Sequence, residues 1–254
     1  MKSGTRVDLM WLITALACAL VWVPAHGQSG NAECLEQVRK LYRRLGEPPA
    51  EGKIYSVSYT VESRTRRSGK VMNTSSKVRL LMSRDRIHMI TDEMEVYQDN
   101  RQVITVLPTS KALYIHDGDV EGNRELRTKM LGAFQDSLFT SCTVTGCSIR
   151  KGDDGREKRR VVLKMGEKVK KHYSISTLTI DIDTKEQSID QVEYAFVPGS
   201  EQEWMKVSVD NFDRDYRTDA FKESLHSMFF DSRGSVLPRY RSYAFIDNRG
   251  KKNR

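Results

Sequence analysis

Hydrophobic and polar positions alternate along this chain with two different periods. Between Asn31 and Gly46, Cys34, Leu35, Val38, Leu41, Tyr42 and Leu45 recur at three- and four-residue spacing. That spacing predicts an amphipathic helix, which Asn31 can cap and Gly46 can end before Pro48-Pro49. The period then drops to two. In "IYSVSYTV", Tyr55, Val57, Tyr59 and Val61 share one face while Ser56, Ser58 and Thr60 share the other, the pattern of a half-buried strand.

The stretch "KVRLLMSRDRIHMITDEMEVYQDNRQVITVLP" continues in this way. Val78, Leu80 and Met82 line one face, and Ile87 and Met89 follow the break at Arg84-Asp85. Val96 comes after Asp92-Glu93, and Val103, Thr105 and Leu107 come after Asp99-Asn100-Arg101, with a further strand over Ala112 to His116. Connections this short join antiparallel neighbours, because a parallel crossover needs about a dozen residues or more. The period returns to helical at Leu126, Met130, Phe134 and Leu138. Strands resume at Val161, Leu163 and Met165, and "LTIDIDTKEQSIDQVEYAF" reads as a hairpin turning between Asp183 and Gln187. Met205, Val207 and Val209 form another strand. Phe221, Leu225, Met228 and Phe229 predict a third, short helix, and "VLPRYRSYAFIDNR" a terminal extended segment. A long meander with one apolar face per strand buries that face by curling around the helices. Where the helices do not fill it, an apolar cavity results.

The first 27 residues stand apart. Lys2 and Arg6 precede an apolar run from Leu9 to Val23, then Pro24 and Ala25-His26-Gly27, the plan of a secretory signal cleaved after Gly27. The run falls short of the roughly 20 residues that span a bilayer. Lipidation at Cys18 is the weaker alternative, since it would leave Val21-Trp22-Val23 exposed. The full chain carries a net charge of +8. Cleavage removes two basic residues and one acidic residue, so the exported chain stays basic, with clusters at "GREKRR", "EKVKKH" and the tail "RGKKNR". Anionic partners are favoured, and export excludes nucleic acid as the natural one. Cys34, Cys142 and Cys147 remain after cleavage, an odd number. A tight turn at "TVTG" would bring Cys142 and Cys147 into disulfide range in an oxidising compartment, leaving Cys34 as a small core residue on the first helix.

Candidate chemistry is sparse. The histidines are isolated from cysteine and from one another, and no zinc-protease, nucleophile-elbow or phosphate-loop motif occurs. "DGDVEGNRELRT" matches the first half of a calcium loop, but Thr128 stands where a bidentate Glu is required. It reads as an acidic turn before the second helix. No enzyme activity, cofactor or metal is expected.

The order helix, meander, helix, then "TIDIDTKEQSIDQVEY" and "KVSVDNFD", resembles the periplasmic outer-membrane lipoprotein carrier (LolA/LolB-like) superfamily over roughly Glu33 to Asp213. "KVRLLMSRDRIHMITDEMEVYQD" is similar to that family's strand pattern. The resemblance implies an α+β fold, a strongly curved antiparallel meander forming an unclosed half-barrel wrapped around amphipathic helices. It also implies that Arg84 matches the arginine that latches the lid by bonding helix carbonyls. The expected organisation is a signal peptide over 1–27, a carrier-like half-barrel over 28–216 and a C-terminal appendage with a basic tail over 217–254.

The expected function is binding of lipid or lipoprotein acyl chains in the concave cavity by a periplasmic or secreted monomer, peripheral to the membrane at most, with an envelope protein as a possible partner. Met82, Met89, Tyr55 and Tyr59 would line the cavity, and Arg84, Arg86 and Lys77 would meet a headgroup or lipoprotein N-terminus at the rim. The competing expectation is an interaction protein of the bacterial envelope with a filled core and no ligand.

Overall fold

The computed structural model describes residues 31–44, 47–120, 138–152 and 154–250. The expected signal, Cys18, most of the second helix, the greater part of the acidic "DGDVEGNRELRT" turn and the last four residues lie outside them. The class is α+β. Twelve strands run β1 Tyr55–Arg67, β2 Lys70–Met82, β3 Ile87–Thr91, β4 Glu95–Gln98, β5 Gln102–Leu107, β6 Ala112–Asp117, β7 Cys142–Lys151, β8 Glu157–Met165, β9 Ile175–Asp183, β10 Ser188–Phe196, β11 Gln202–Asp213 and β12 Ala244–Asp247. They form one unclosed sheet in the order β12-β6-β5-β4-β3-β2-β1-β11-β10-β9-β8-β7. The expected meander is therefore two meanders, β1 to β6 and β7 to β11, and strand β1 neighbours both β2 and β11. The terminal segment also joins the sheet. Strand β12 pairs parallel with β6, Ala244 opposite Ala112 and Asp247 opposite Ile115.

The chain divides into two compact units. The first gathers the described residues of Met1–Glu47, Ser58–Lys77 and Arg127–Asn211. Its core side is a row of cross-strand neighbours: Val161 opposite Ile180 and Leu163 opposite Leu178, then Val192 opposite Val207 and Tyr194 opposite Met205, all buried. Helix α1, Asn31–Arg44, lays Cys34, Val38, Leu41 and Tyr42 against this unit. A second helix, α2 Glu167–Tyr173, which the charged run "EKVKKH" had not suggested, buries only Val169.

The second unit gathers Pro48–Val57, Val78–Leu126 and Phe212–Arg254, again as far as described. On strand β5 the buried residues are Gln102, Ile104 and Val106, while Val103, Thr105 and Leu107 are only half-buried. Both rows of this strand are largely apolar, so the alternation of letters did not select the row that packs. Ile104 and Val106 are buried with Leu113 and Ile115 of β6 under Leu225, Phe229 and Phe230. Those three come from helix α3, Leu225–Phe229, and the residue after it, so the C-terminal segment is an integral layer of this unit.

Candidate functional site

The covered face of β3–β6 is built around one cross-strand row. His88 lies opposite Tyr97, Tyr97 opposite Ile104, and Ile104 opposite Ile115. The His88 and Tyr97 rings stack at 4.0 Å. Phe229 meets Tyr97 edge-on at 5.1 Å and stacks on Tyr240 at 5.0 Å, and Tyr240 meets Tyr243 edge-on. Offset and edge-to-face contacts of this kind add about 0.5–1.5 kcal/mol per pair beyond burial. Between this segment and the strands, a cavity lined by Arg86, Ile87, Tyr97, Gln98, Phe221 and Leu225 measures about 10 Å³, room for a single water.

Two arginines fasten the covering segment to backbone carbonyls. Arg86, just after the β2–β3 turn, donates from one Nη to Phe221 O at 3.0 Å and to Glu223 O at 2.5 Å. Arg239 donates to Met228 O and lies over the Tyr240 ring. Ser224 caps α3 by accepting from the Ser227 N–H. Carbonyl contacts of the kind that the resemblance assigned to Arg84 are made by Arg86, two residues on. Arg84 itself is exposed beside Asp85 in the turn. The offset follows from the turn, in which Ser83 N–H bonds Arg86 O, so that Arg86 leads directly into β3.

A polar group lies in the covered row. Tyr97 donates to a Glu95 carboxylate oxygen at 2.5 Å, and His88 Nε2 is 3.6 Å from the same oxygen. Burial pushes the His88 imidazole below its usual range, and Glu95 only partly offsets it. The Tyr97 hydroxyl is pushed up, first by burial and then by its bond to Glu95. At neutral pH the row therefore holds a neutral histidine and a neutral tyrosine. Among the described residues no cluster of three His, Cys, Asp or Glu side chains could hold a metal ion.

Of the residues expected to form a site, Met82, Arg84 and Arg86 come together at the β2–β3 turn, where Met82 lies opposite Ile87. Met89 is buried one step along, opposite Leu80. Tyr55 is half-buried and edge-on to Phe212 at 5.9 Å. Tyr59 and Lys77 fall in the first unit, Tyr59 in its core at 1% exposure and Lys77 exposed. Sequence reasoning missed His88, Tyr97 and Tyr240. The cue was the density of aromatics in "MFF" and "PRYRSYAF", which exceeds what a free tail needs.

The expected Cys142–Cys147 bridge is replaced by Cys34–Cys147, which spans 113 positions and ties α1 to β7; Cys142 is a free thiol. "TVTG" is strand, not turn. Cys142 pairs with Met165 and Cys147 with Val161 along one extended β7, so the two lie about 16 Å apart at strand rise. A register shift between Val144 and Gly146 adds one residue and brings both cysteines to the row of Met165, Leu163 and Val161, the side that α1 covers.

In the basic cluster "GREKRR", Arg156, Lys158 and Arg160 are paired with carboxylates of the first unit. Arg160 and Arg150 both bond Asp181, at 2.8 and 2.6 Å, and Arg156 bonds Asp183 at 2.7 Å, while Lys158 reaches Asp190 at 2.8 Å. Asp181 and Asp183 are almost wholly buried beneath these longer side chains. Burial alone would raise the Asp181 carboxyl, but the Arg160 and Arg150 bonds outweigh it and hold it below the usual range. This ladder of paired charges ties β7, β8, β9 and β10 together.

No protein-family model matches the chain. No curated protein sequence matches it either. Among solved structures it is similar to an uncharacterized conserved protein from Thermus thermophilus (10% identity, 85% of this chain and 98% of that one, TM-score 0.40). It is also similar to an outer membrane lipoprotein-sorting protein domain from Vibrio parahaemolyticus (9%, 75% and 96%, 0.31) and to a LolA superfamily protein from Nitrosomonas europaea (6%, 78% and 99%, 0.28). At these scores the likenesses carry no statement about ligand or activity, and the fold rests on the strand order given above.

Proposed function

We propose that this chain is a non-enzymatic binding protein of the cell envelope, and that its acyl-binding surface is the apolar face of β3–β6 now covered by the latched segment Phe221–Tyr243. The observation that supports this reading is the Arg86 latch. A single guanidinium holds the start of a five-residue helix by two carbonyl bonds, and a helix so short has little stability of its own. Release of that latch would uncover Ile104, Val106, Leu113 and Ile115. Each buried acyl methylene would contribute about 0.8 kcal/mol there, so no polar recognition is needed for firm binding. Export is supported by the Cys34–Cys147 disulfide, since such bridges persist in oxidising compartments. No helix among the described residues is long and apolar enough to cross a membrane.

A second reading, an envelope interaction protein with a filled core, is favoured by the cavity of only about 10 Å³. Native mass spectrometry of exported protein purified without detergent separates the two, together with uptake of a fluorescent fatty acid by the native protein and by Arg86→Ala. A co-purifying mass removable by organic solvent, with faster uptake by Arg86→Ala, is the expected result. A clean mass and no uptake by either protein would sink the acyl-binding reading and leave the filled core.

A further inference from the structure

A different surface, at the tip of the β1–β2 hairpin, carries its own chemistry. The two strands meet at Ser68-Gly69, whose φ values of +51° and +78° match the two-residue turn that follows the strand twist. Beyond the turn, Lys70 to Ser75 are exposed without interruption, so both faces of the strand stand in solvent. On opposite faces of this stretch lie Val71, 39% exposed, and Met72, 50% exposed. From Ser63 to Lys77 there are basic residues at 64, 66, 67, 70 and 77 and no acidic one. On the neighbouring β11, Glu203 takes both Arg64 at 2.9 Å and Arg66 at 2.6 Å. Arg67 and Lys70 flank the turn and are exposed. The β10–β11 turn lies alongside, with Arg66 N–H bonded to Glu201 O. A 360 Å³ cleft there is lined by Arg66, Phe196, Val197, Pro198 and the carboxylates Glu201 and Glu203.

We propose that this hairpin tip docks on an anionic lipid bilayer, with Val71 and Met72 entering the headgroup–acyl boundary while Arg67 and Lys70 meet lipid phosphates. Adjacent exposed apolar side chains between cations, on a strand with no protein cover, match an interface that is apolar beneath and negative above. Each basic side chain near such a surface contributes about 1 kcal/mol, roughly a fivefold factor in binding. The expected attachment is therefore reversible and salt-sensitive. Docking needs no ligand on the β3–β6 face, so failure of either idea leaves the other standing.

The test is co-sedimentation of the exported chain, its N-terminus read by mass spectrometry, with vesicles of phosphatidylcholine containing a quarter phosphatidylglycerol. Pure phosphatidylcholine vesicles are the reference. The native protein should sediment with the anionic vesicles only, and lose them near 1 M salt, where the Debye length is about 3 Å. Arg67→Gln/Lys70→Gln should weaken binding about 25-fold and Val71→Ser/Met72→Ser about tenfold, with melting temperatures unchanged because all four residues are solvated. Equal sedimentation by native and hairpin variants, with binding lost instead on removing residues 251–254, would assign the contact to the C-terminal tail and overturn the proposal. Absence of the native protein from anionic vesicles would overturn it as well.

Discussion

The two units cover their apolar faces by contrasting means. In the first, helix α1 is held to β7 by a covalent bridge, Cys34–Cys147, and to other parts of the unit by side-chain ties, Arg159 of β8 to Gln37 and Arg39 to Phe139 O. In the second, the covering segment carries no covalent tie. It rests on stacked aromatics and on arginine bonds to carbonyls, Arg86 to Phe221 and Glu223 and Arg239 to Met228. One cover is tied covalently to the sheet it packs on, whereas the other is held by buried side chains, arginine–carbonyl bonds and the pairing of β12 with β6. If either face exchanges with a ligand, the physical difference points to β3–β6.

Breaking the covalent cover should have the largest effect. Cys34→Ser/Cys147→Ser removes a cross-link spanning 113 positions and is expected to cost about 4–5 kcal/mol on the chain-entropy account. Hydrogen exchange should then rise over α1 and β7–β10 while β3–β6 keep their protection; uniform loss across the chain would mean that the two covers are not independent. Phe229→Ala is the matching cut in the second unit. Its side chain is fully buried, so truncation should cost about 3–5 kcal/mol and raise exchange over β4–β6, as read by the same peptides.

Smaller effects sharpen the contrast. Asp181→Asn should cost about 1–3 kcal/mol by weakening the bonds to Arg150 and Arg160. Because the Asp181 carboxyl is held low in the folded state, its contribution is present above the ordinary carboxylate range and fades as pH falls through the lowered folded value. Acid denaturation of the native protein should thus be steeper than that of Asp181→Asn. Arg86→Ala should cost about 1–2 kcal/mol and loosen only residues 221–229, visible as limited proteolysis there at unchanged melting temperature of the first unit.

The least effect is a pH response of the second cover. His88 is held neutral by burial, with Glu95 and Arg79 as the charged groups that act on it and Tyr97 stacked above. A base with a depressed folded value contributes its full stability above the ordinary histidine range, and that contribution is lost as pH falls from there towards the folded value. Melting of the second unit should fall over this window in the native protein and stay flat in His88→Phe, which keeps the stack. Identical profiles would show that His88 does not titrate with unfolding.

Much of this architecture was legible in the letters, and where it was not, particular residues show why. The amphipathic α1, the strand alternation from Tyr55 onward, the "TIDIDTKEQSIDQ" hairpin and the short helix at Leu225 all follow from local periodicity. They are decided by neighbours a few positions apart. The turn expected at "TVTG" is strand because its conformation is set by pairing with β8, more than ten residues on. Arg86, which bonds the covering segment's carbonyls, lies two places from the arginine that resemblance suggested. The acidic partners of "GREKRR" become visible only when β9 is placed beside β8.

By itself, the sequence determined which segments are strands and helices, that the sheet is antiparallel through its short connections, and that the chain carries excess positive charge. Tertiary structure alone decided which cysteines pair, which row of β5 is buried, and that the terminal segment becomes both a parallel strand on β6 and the cover of β3–β6. The physical reason is range. Periodicity records which side of an element is apolar, but on β5, where Ile104 and Val106 alternate with Val103 and Leu107, both sides qualify. Only the aromatic residues that arrive from more than a hundred positions away choose between them.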